Sequence, residues 1–280
     1  MFAQDFVRNA YLAGTPIALA CGLIGWFVVL RAQVFAGDAL SHVAFVGAIA
    51  AAVFGLDERL GLFALTLVVA VGMAALGRRA GDADDAAIGT VFAWVLGLGV
   101  LLLAVLATSA NGGNGVTVAN TLFGSIFSLS AGSARVAALV GLGLVVALAA
   151  IVRPLLMATL EADIAVVRGV PVRVLGGVFL VLLAATTAET TQAVGALLLL
   201  GLIAAPAGAA HQLTARPYWG LLLSAAIALG AMWAGLAISY AVPDLPPSSA
   251  IVGFAAATYV AATIWRRLLD DYINQRHLKR

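Results

Sequence analysis

The chain has 280 residues, of which 63% are hydrophobic and 10% charged, with a net charge of +2 and a mean hydropathy of +1.09. A soluble domain carries about 25% charged residues, so this composition excludes a soluble globular enzyme, and so small a net charge is no nucleic-acid footprint. The apolar runs are long and continuous rather than alternating segments of about 10 residues, which excludes a membrane β-barrel and predicts an all-α, polytopic integral membrane protein forming a single domain over residues 1–280.

Nine spans follow in chain order, near residues 9–30, 34–55, 60–77, 87–108, 133–153, 174–190, 193–211, 217–241 and 249–265. The first lacks a basic leader and is as long as a full crossing, so it reads as a retained helix and not a cleaved signal peptide. It contains Cys21, the single cysteine, which excludes an intrachain disulfide and a cysteine-cluster metal site. The 30 glycines suit close helix–helix approach in lipid, where small residues replace the hydrophobic effect as the packing device. Asp82, Asp84 and Asp85 open the fourth span, where carboxylates complement the helix dipole. After that span comes "TSANGGNGVTVANTLFGSIFSLSAG", a polar, Gly-rich loop followed by a short re-entrant or interfacial helix. "RPLLMATLEADIAVVRGVPVRVL", residues 153–175, reads as a sizeable piece outside the membrane. Its Leu160, Ile164 and Val167 recur at helical spacing, and "RGVP" turns the chain back. Either an amphipathic connector or a docking helix pair fits. "TTAETTQAVG" places Glu189 in a solvated turn between spans six and seven. His211, near Arg216 and Pro217, and His277, in the tail, carry no ligand signature.

Orientation follows from the Lys/Arg bias. With the N-terminus outside and the C-terminus cytoplasmic, twelve basic residues from Arg31 to Arg280 face inward, and only Arg8, Arg59 and Arg135 remain outside. The basic tail "RRLLDDYINQRHLKR" then meets anionic lipid head groups or a cytoplasmic partner.

Asp38 and His42, in "AGDALSHVAFVG", are the two groups that carry chemistry. At i and i+4 they share one helix face. His42 lies about 11 residues beyond Arg31, roughly 16 Å, near the midplane of a hydrocarbon core about 30 Å thick. An ionised carboxylate there costs at least about 2.5 kcal/mol unless it finds a partner or a wet cavity. Carboxylate plus imidazole suits first-row divalent cations such as zinc, manganese or iron. The same spacing also fits a pair that hydrogen-bonds to support packing, and spacing alone leaves both readings open. The sequence has no G-x-x-x-x-G-K-[ST] phosphate loop, H-E-x-x-H pair or G-x-S-x-G elbow, so it reads as no enzyme by those routes. Active transport would need another subunit or an ion gradient.

Six ordered blocks together resemble the permease subunit of the zinc and manganese (divalent metal ion) ABC importers. They are "VLRAQVFAGDALSHVAFVG", "DDAAIGTVFAWVLGLGVLLL", "NTLFGSIFSLS", "EADIAVVRGVPV", "TTQAVGALLLLGLIAAPAGAAHQLTA" and "LPPSSAIV", and they run nearly end to end. The resemblance implies a multi-pass protein of the bacterial cytoplasmic membrane that moves a divalent metal ion inward with no permanently bound cofactor. Its implied partners are a second copy of the permease, a cytoplasmic ATP-binding subunit that hydrolyses the ATP, and an extracytoplasmic metal-binding protein. It also implies that Asp38 and His42 fall on the in-membrane metal pathway, and that Glu161, Asp163, Ile164, Val167, Arg168 and Gly169 belong to the segment that docks on the ATPase. The chain departs from the family pattern at Val46, where a proline is usual, which removes the usual cause of a local kink. "FAWVLGLG" lacks the histidine that some zinc permeases carry, which weakens zinc without selecting manganese. Two other readings stay in view. One is a gradient-driven secondary transporter or channel for divalent cations, with Asp38 as the proton or ion site. The other is a permease of the related siderophore or cobalamin importers, which would not need the Asp38–His42 pair.

Overall fold

A computed structural model describes residues 4–76, 85–108, 121–124, 126–242 and 244–278, without the side chains of residues 85, 87 and 271–278. Asp82, Asp84, the Asp85 side chain, the Gly-rich loop around Asn114 and the His277 side chain therefore lie outside the described residues. Helices account for the structure: α1 (Asp5–Leu30), α2 (Val34–Val53), α3 (Glu58–Leu76), α4 (Asp85–Thr108), α5 (Ala131–Leu160), α6 (Ala162–Val167), α7 (Val172–Val194), α8 (Leu199–Leu213), α9 (Pro217–Ala241) and α10 (Pro247–Leu278). Each expected span finds its helix. Eight are long and apolar enough to cross a membrane, and α8, with 15 residues, is shorter.

Local chemistry sets several boundaries. Ser130 accepts from the Ser133 N–H at 3.1 Å to start α5. Asp57 accepts from the Arg59 N–H at 2.8 Å to start α3, and Pro217 occupies the first turn of α9, where its missing donor goes unused. α1 and α2 are separated by Arg31–Gln33, with Ala32 in the left-handed region at φ 54°. α2 then runs unbroken through Val46, the position where the permeases that the sequence resembles usually carry a proline.

The bundle combines close approaches of small residues with large buried side chains such as Phe27 of α1 and Phe179 of α7, whose ring centroids are 6.1 Å apart. α1 is central, against α5, α8 and α9, while α7 packs on α2, α3 and α5. A methyl group on Gly22 would stand 2.6 Å from the Ala225 Cα, and Ser224 donates to the Gly22 carbonyl at 2.6 Å. One on Gly47 would meet the Gly61 carbonyl oxygen at 2.5 Å, which is how α2 and α3 come into contact. Dispersion at such short range is the main attraction available to helices in lipid.

Contacts fix two ends. At the end where α1 begins, the near end, Asn9 donates to the Leu129 carbonyl and Tyr11 packs on Trp233. At the far end, Arg31 donates to Thr159 and Arg266 to Gln212, so the start of α1 and the later turns of α10 lie at opposite ends. α10 has 32 residues, about 48 Å of helix, and its basic C-terminal turns extend past a hydrocarbon core of about 30 Å.

Two segments differ in part from expectation. In "LFGSIFSL" and the residue before it, residues 121–123 are helical and Ile126–Ser128 form a 3-10 turn, so among the described residues this segment is helical only in part. Its Thr121 and Leu122 carbonyls accept from the Ala196 and Leu197 N–H groups between α7 and α8 at 3.1 and 3.3 Å. Gly124 and Gly195 meet back to back there at φ 76° and 92°, a conformation and a closeness that exclude a β-carbon. Of residues 153–175, positions 153–160 complete α5 and 172–175 begin α7, which leaves only 161–171 outside the long helices. α5 runs to Leu160, past the expected end of the fifth span near 153, and carries Pro154 internally.

Candidate metal pathway

α2 carries Asp38 and His42 at its middle, His42 being nine residues into a helix of 20. Most of its other residues are buried, but these two are half-buried, so both side chains line a partly open face. Neither side chain has a hydrogen-bond partner among the described residues; the Ser41 hydroxyl bonds the Asp38 backbone carbonyl at 2.7 Å. The packing hydrogen bond that the i, i+4 spacing allowed is absent from this conformation among the described residues. His42 instead lies against Phe92 of α4, with ring centroids 5.4 Å apart and planes inclined by 48°. No group of three or more His, Cys, Asp or Glu among the described residues is arranged to hold a metal. Two ligands on an open face suit transient contact with a cation better than a closed cage, which would trap it.

Glu189 overturns the sequence reading of a solvated turn. α7 runs on to Val194, and Glu189 is 1% exposed within it. Within "TTAETT" the Thr190 and Thr191 hydroxyls donate to the Thr186 and Thr187 carbonyls at 2.7 and 2.8 Å and so are satisfied within their own helix, whereas the Thr186 and Thr187 hydroxyls are buried without a partner among the described residues. The carboxylate is met by Arg59, whose Nη2 donates to both of its oxygens at 3.0 and 2.8 Å. Fully charge-paired, it can remain in a membrane protein. The sequence held one usable signal, since Arg59 was among the few basic residues assigned to the sparse side.

Beside this ion pair the near end opens into a cavity of about 490 Å³, lined among others by Ala48, Asp57, Glu58, Arg59, Leu62 and Gln192. Ala44, Ala48, Leu62 and Ala188 form a small apolar layer between α2, α3 and α7. Ala48 lies six residues beyond His42, about 120° around the helix at 100° per residue, so the cavity and the Asp38–His42 face occupy different sides of α2.

At the far end, α6 leaves α5 at Glu161 and ends in a Schellman turn. The Val170 N–H bonds the Ala165 carbonyl at 2.9 Å, the Gly169 N–H bonds that of Val166 at 3.0 Å, and Gly169 has φ 78°, followed by Pro171. Ala165 is buried, whereas Ile164 and Val167 are 46% and 88% exposed. An apolar patch is thus held out at the end of the bundle, with Glu161, Asp163 and Arg168 exposed around it. His211 has a structural place: its Nε2 bonds the Trp26 carbonyl at 3.1 Å and its ring stacks on Trp26 at 5.1 Å, pinning α8 to α1.

Comparison with known proteins gives one family. A family model described as the ABC 3 transport family matches residues 3–266. The manganese transport system membrane protein MntC of Halalkalibacterium halodurans is 26% identical over 94% of this chain and 88% of its own. The manganese import system permease protein ScaB of Streptococcus parasanguinis is 27% identical over 91% and 89%. Among solved structures, PsaBC from Streptococcus pneumoniae in complex with Fab aligns with a TM-score of 0.79 and 25% identity, over 92% of this chain and 91% of that one.

Proposed function

The chain belongs to the ABC 3 transport family, and we propose that it is the permease subunit of an importer that carries a divalent transition metal, manganese foremost, into the cytoplasm. The observation that carries this reading is the half-buried Asp38–His42 face in the middle of an otherwise buried, apolar α2. Manganese is favoured over zinc or iron because both curated relatives described above are named for it. Carboxylate oxygen suits manganese and imidazole nitrogen suits zinc or iron, so the donor pair admits all three and the choice of manganese rests on those relatives.

The chain is energised by a separate ATP-hydrolysing subunit that docks on α6, where Ile164 and Val167 present apolar surface and Glu161, Asp163 and Arg168 flank it. Gly169 holds the turn that shapes this surface. A second copy of the permease and an extracytoplasmic metal-binding protein complete the assembly. The far end faces the cytoplasm: Arg31, Arg153, Arg168, Arg173, Arg216, Arg266 and Arg267 lie toward it and Arg8, Arg59 and Arg135 toward the near end, the asymmetry of the positive-inside rule. Asp38 offsets the charge of the ion in a low-dielectric setting, and His42 adds the nitrogen that disfavours magnesium and calcium. Water and backbone oxygens, or the second copy, supply the remaining coordination.

The test is uptake at limiting manganese by cells that express the complete transporter at matched membrane levels. Asp38→Asn and His42→Ala should each cut uptake by more than about tenfold, equivalent to about 1.4 kcal/mol, with Asp38→Asn the more severe. Near-normal uptake by both would remove the metal role.

A further inference from the structure

Phe35, Asp38 and His42 stand at i, i+3 and i+7 on α2 and so form one stripe. Phe92 of α4 touches both ends of that stripe. Its ring centroid is 6.1 Å from that of Phe35, edge-on at 83°, and 5.4 Å from that of His42. A ring held against both residues lies opposite the level of Asp38, which falls between them. Its position is set by the helix seam. Ile88, Phe92, Val95, Gly99 and Leu106 follow heptad spacing along α4, and Ile88, Val95 and Leu106 are buried. At Gly99 the helices come so close that a methyl group would stand 2.6 Å from a Val46 methyl. α4 therefore cannot slide along α2 without losing that fit, and Phe92 is fixed at the height of the pair.

A histidine that meets a metal is ordinarily oriented by a hydrogen bond at its other ring nitrogen. Among the described residues His42 has no such bond, and its ring packs against that of Phe92. We propose that Phe92 is a positioning and specificity-determining residue for metal passage: its ring seats the His42 imidazole and, with Phe35, takes the place of part of the water that would otherwise meet an ion on the partly open Asp38–His42 face. A cation reaching this level must give up part of its hydration. Manganese yields water to mixed ligands, whereas magnesium dehydrates reluctantly, so the aromatic cover selects between ions of equal charge that the two ligands alone would separate less well. This inference rests on the metal role of Asp38 and His42.

The test measures manganese uptake kinetics, and inhibition of that uptake by magnesium, in the complete transporter. Phe92→Leu keeps an apolar side chain in the seam and removes the ring. It should raise the KM for manganese by about tenfold, the lower end of the effect of losing a residue that orients a metal ligand, leave the maximal rate within about twofold, and make uptake sensitive to magnesium. Phe92→Tyr restores a ring and should restore KM and magnesium resistance. Trp94→Leu removes a ring from the exposed side of α4, where Trp94 is 73% exposed, and should leave both unchanged. Wild-type KM and selectivity in Phe92→Leu, or an equal change in Trp94→Leu, would overturn the proposal while Asp38→Asn and His42→Ala still abolish uptake. Normal uptake by those two variants would instead bring down the metal reading, and this inference with it.

Discussion

Arg59, at the start of α3, forms an ion pair with Glu189 of α7, two residues 130 positions apart in the chain, its Nη2 reaching both carboxylate oxygens at 2.8 and 3.0 Å. Glu189 is buried and Arg59 only partly so, so the contact joins a hydrated end to the protein interior. It ties α3 to α7 beside the near-end cavity.

Removing one partner of this pair should cost more than removing both. Arg59→Met leaves a buried carboxylate uncompensated and is expected to destabilise the protein by about 3–5 kcal/mol. Glu189→Gln keeps the shape and removes the charge, and should cost less. The Arg59→Met/Glu189→Leu double variant should recover much of the loss, because two apolar side chains need no partner. Thermal unfolding of the purified protein in detergent checks the order, and a double variant as unstable as the sum of the singles would refute the desolvation argument.

The back-to-back glycines make a second prediction. Gly195 has φ 92° and faces the Leu122 carbonyl and the Gly124 N–H. Gly195→Ala should cost at least about 1–3 kcal/mol from the backbone alone, more once the neighbouring turn is displaced. Gly253→Ala, where nothing lies within 4 Å of an added methyl group, should be neutral or slightly stabilising as a helix position. Melting temperatures of the two variants should therefore separate clearly.

Docking on α6 is tested by charge. Ile164→Asp and Val167→Asp alter exposed positions, so folding and membrane insertion should be unaffected, within about 0.5 kcal/mol. A carboxylate placed in an apolar contact is costly, so binding of the ATP-hydrolysing subunit should weaken and its hydrolysis should no longer drive uptake. Co-purification and metal uptake are the readouts. Full assembly and full uptake in both variants would exclude α6 from the interface.

Orientation is read by thiol labelling of intact cells. Cys21 is fully buried and should be silent, but is replaced by Ala to remove doubt. Glu58→Cys, at the near end, should react with an impermeant maleimide added outside, and Val167→Cys should react only after the cells are opened. The opposite pattern would invert the protein in the membrane and remove the cytoplasmic placement of α6.

Much of the architecture is legible in one dimension because a hydrocarbon core of about 30 Å imposes a length and a polarity on every crossing. The breaks at Arg31–Gln33 and at Arg216–Pro217 fall where charge and proline interrupt apolar runs, and the helices change there. The "RGVP" stop is likewise local, since Gly169 and Pro171 act on their own turn. Asp38 and His42 stood out because an ionisable pair in an apolar run is rare.

Other features depended on what a segment packs against. "TTAETT" has the composition of a turn, yet it is helix, with Arg59 reaching its carboxylate and the Thr190 and Thr191 hydroxyls bonding back to their own helix. Pro154 resembles a helix end, yet α5 continues past it to Leu160. Phe92 reads as one more apolar residue of a lipid-facing span until α4 is laid on α2 and its ring comes to rest on His42. Hydropathy and spacing are sums over neighbours in sequence, so they determined where the chain crosses and which residues carry charge. Whether a carboxylate is solvated or paired, and whether an imidazole is free or held, depends on atoms within a few ångströms that arrive from distant helices, and only the tertiary structure decided those.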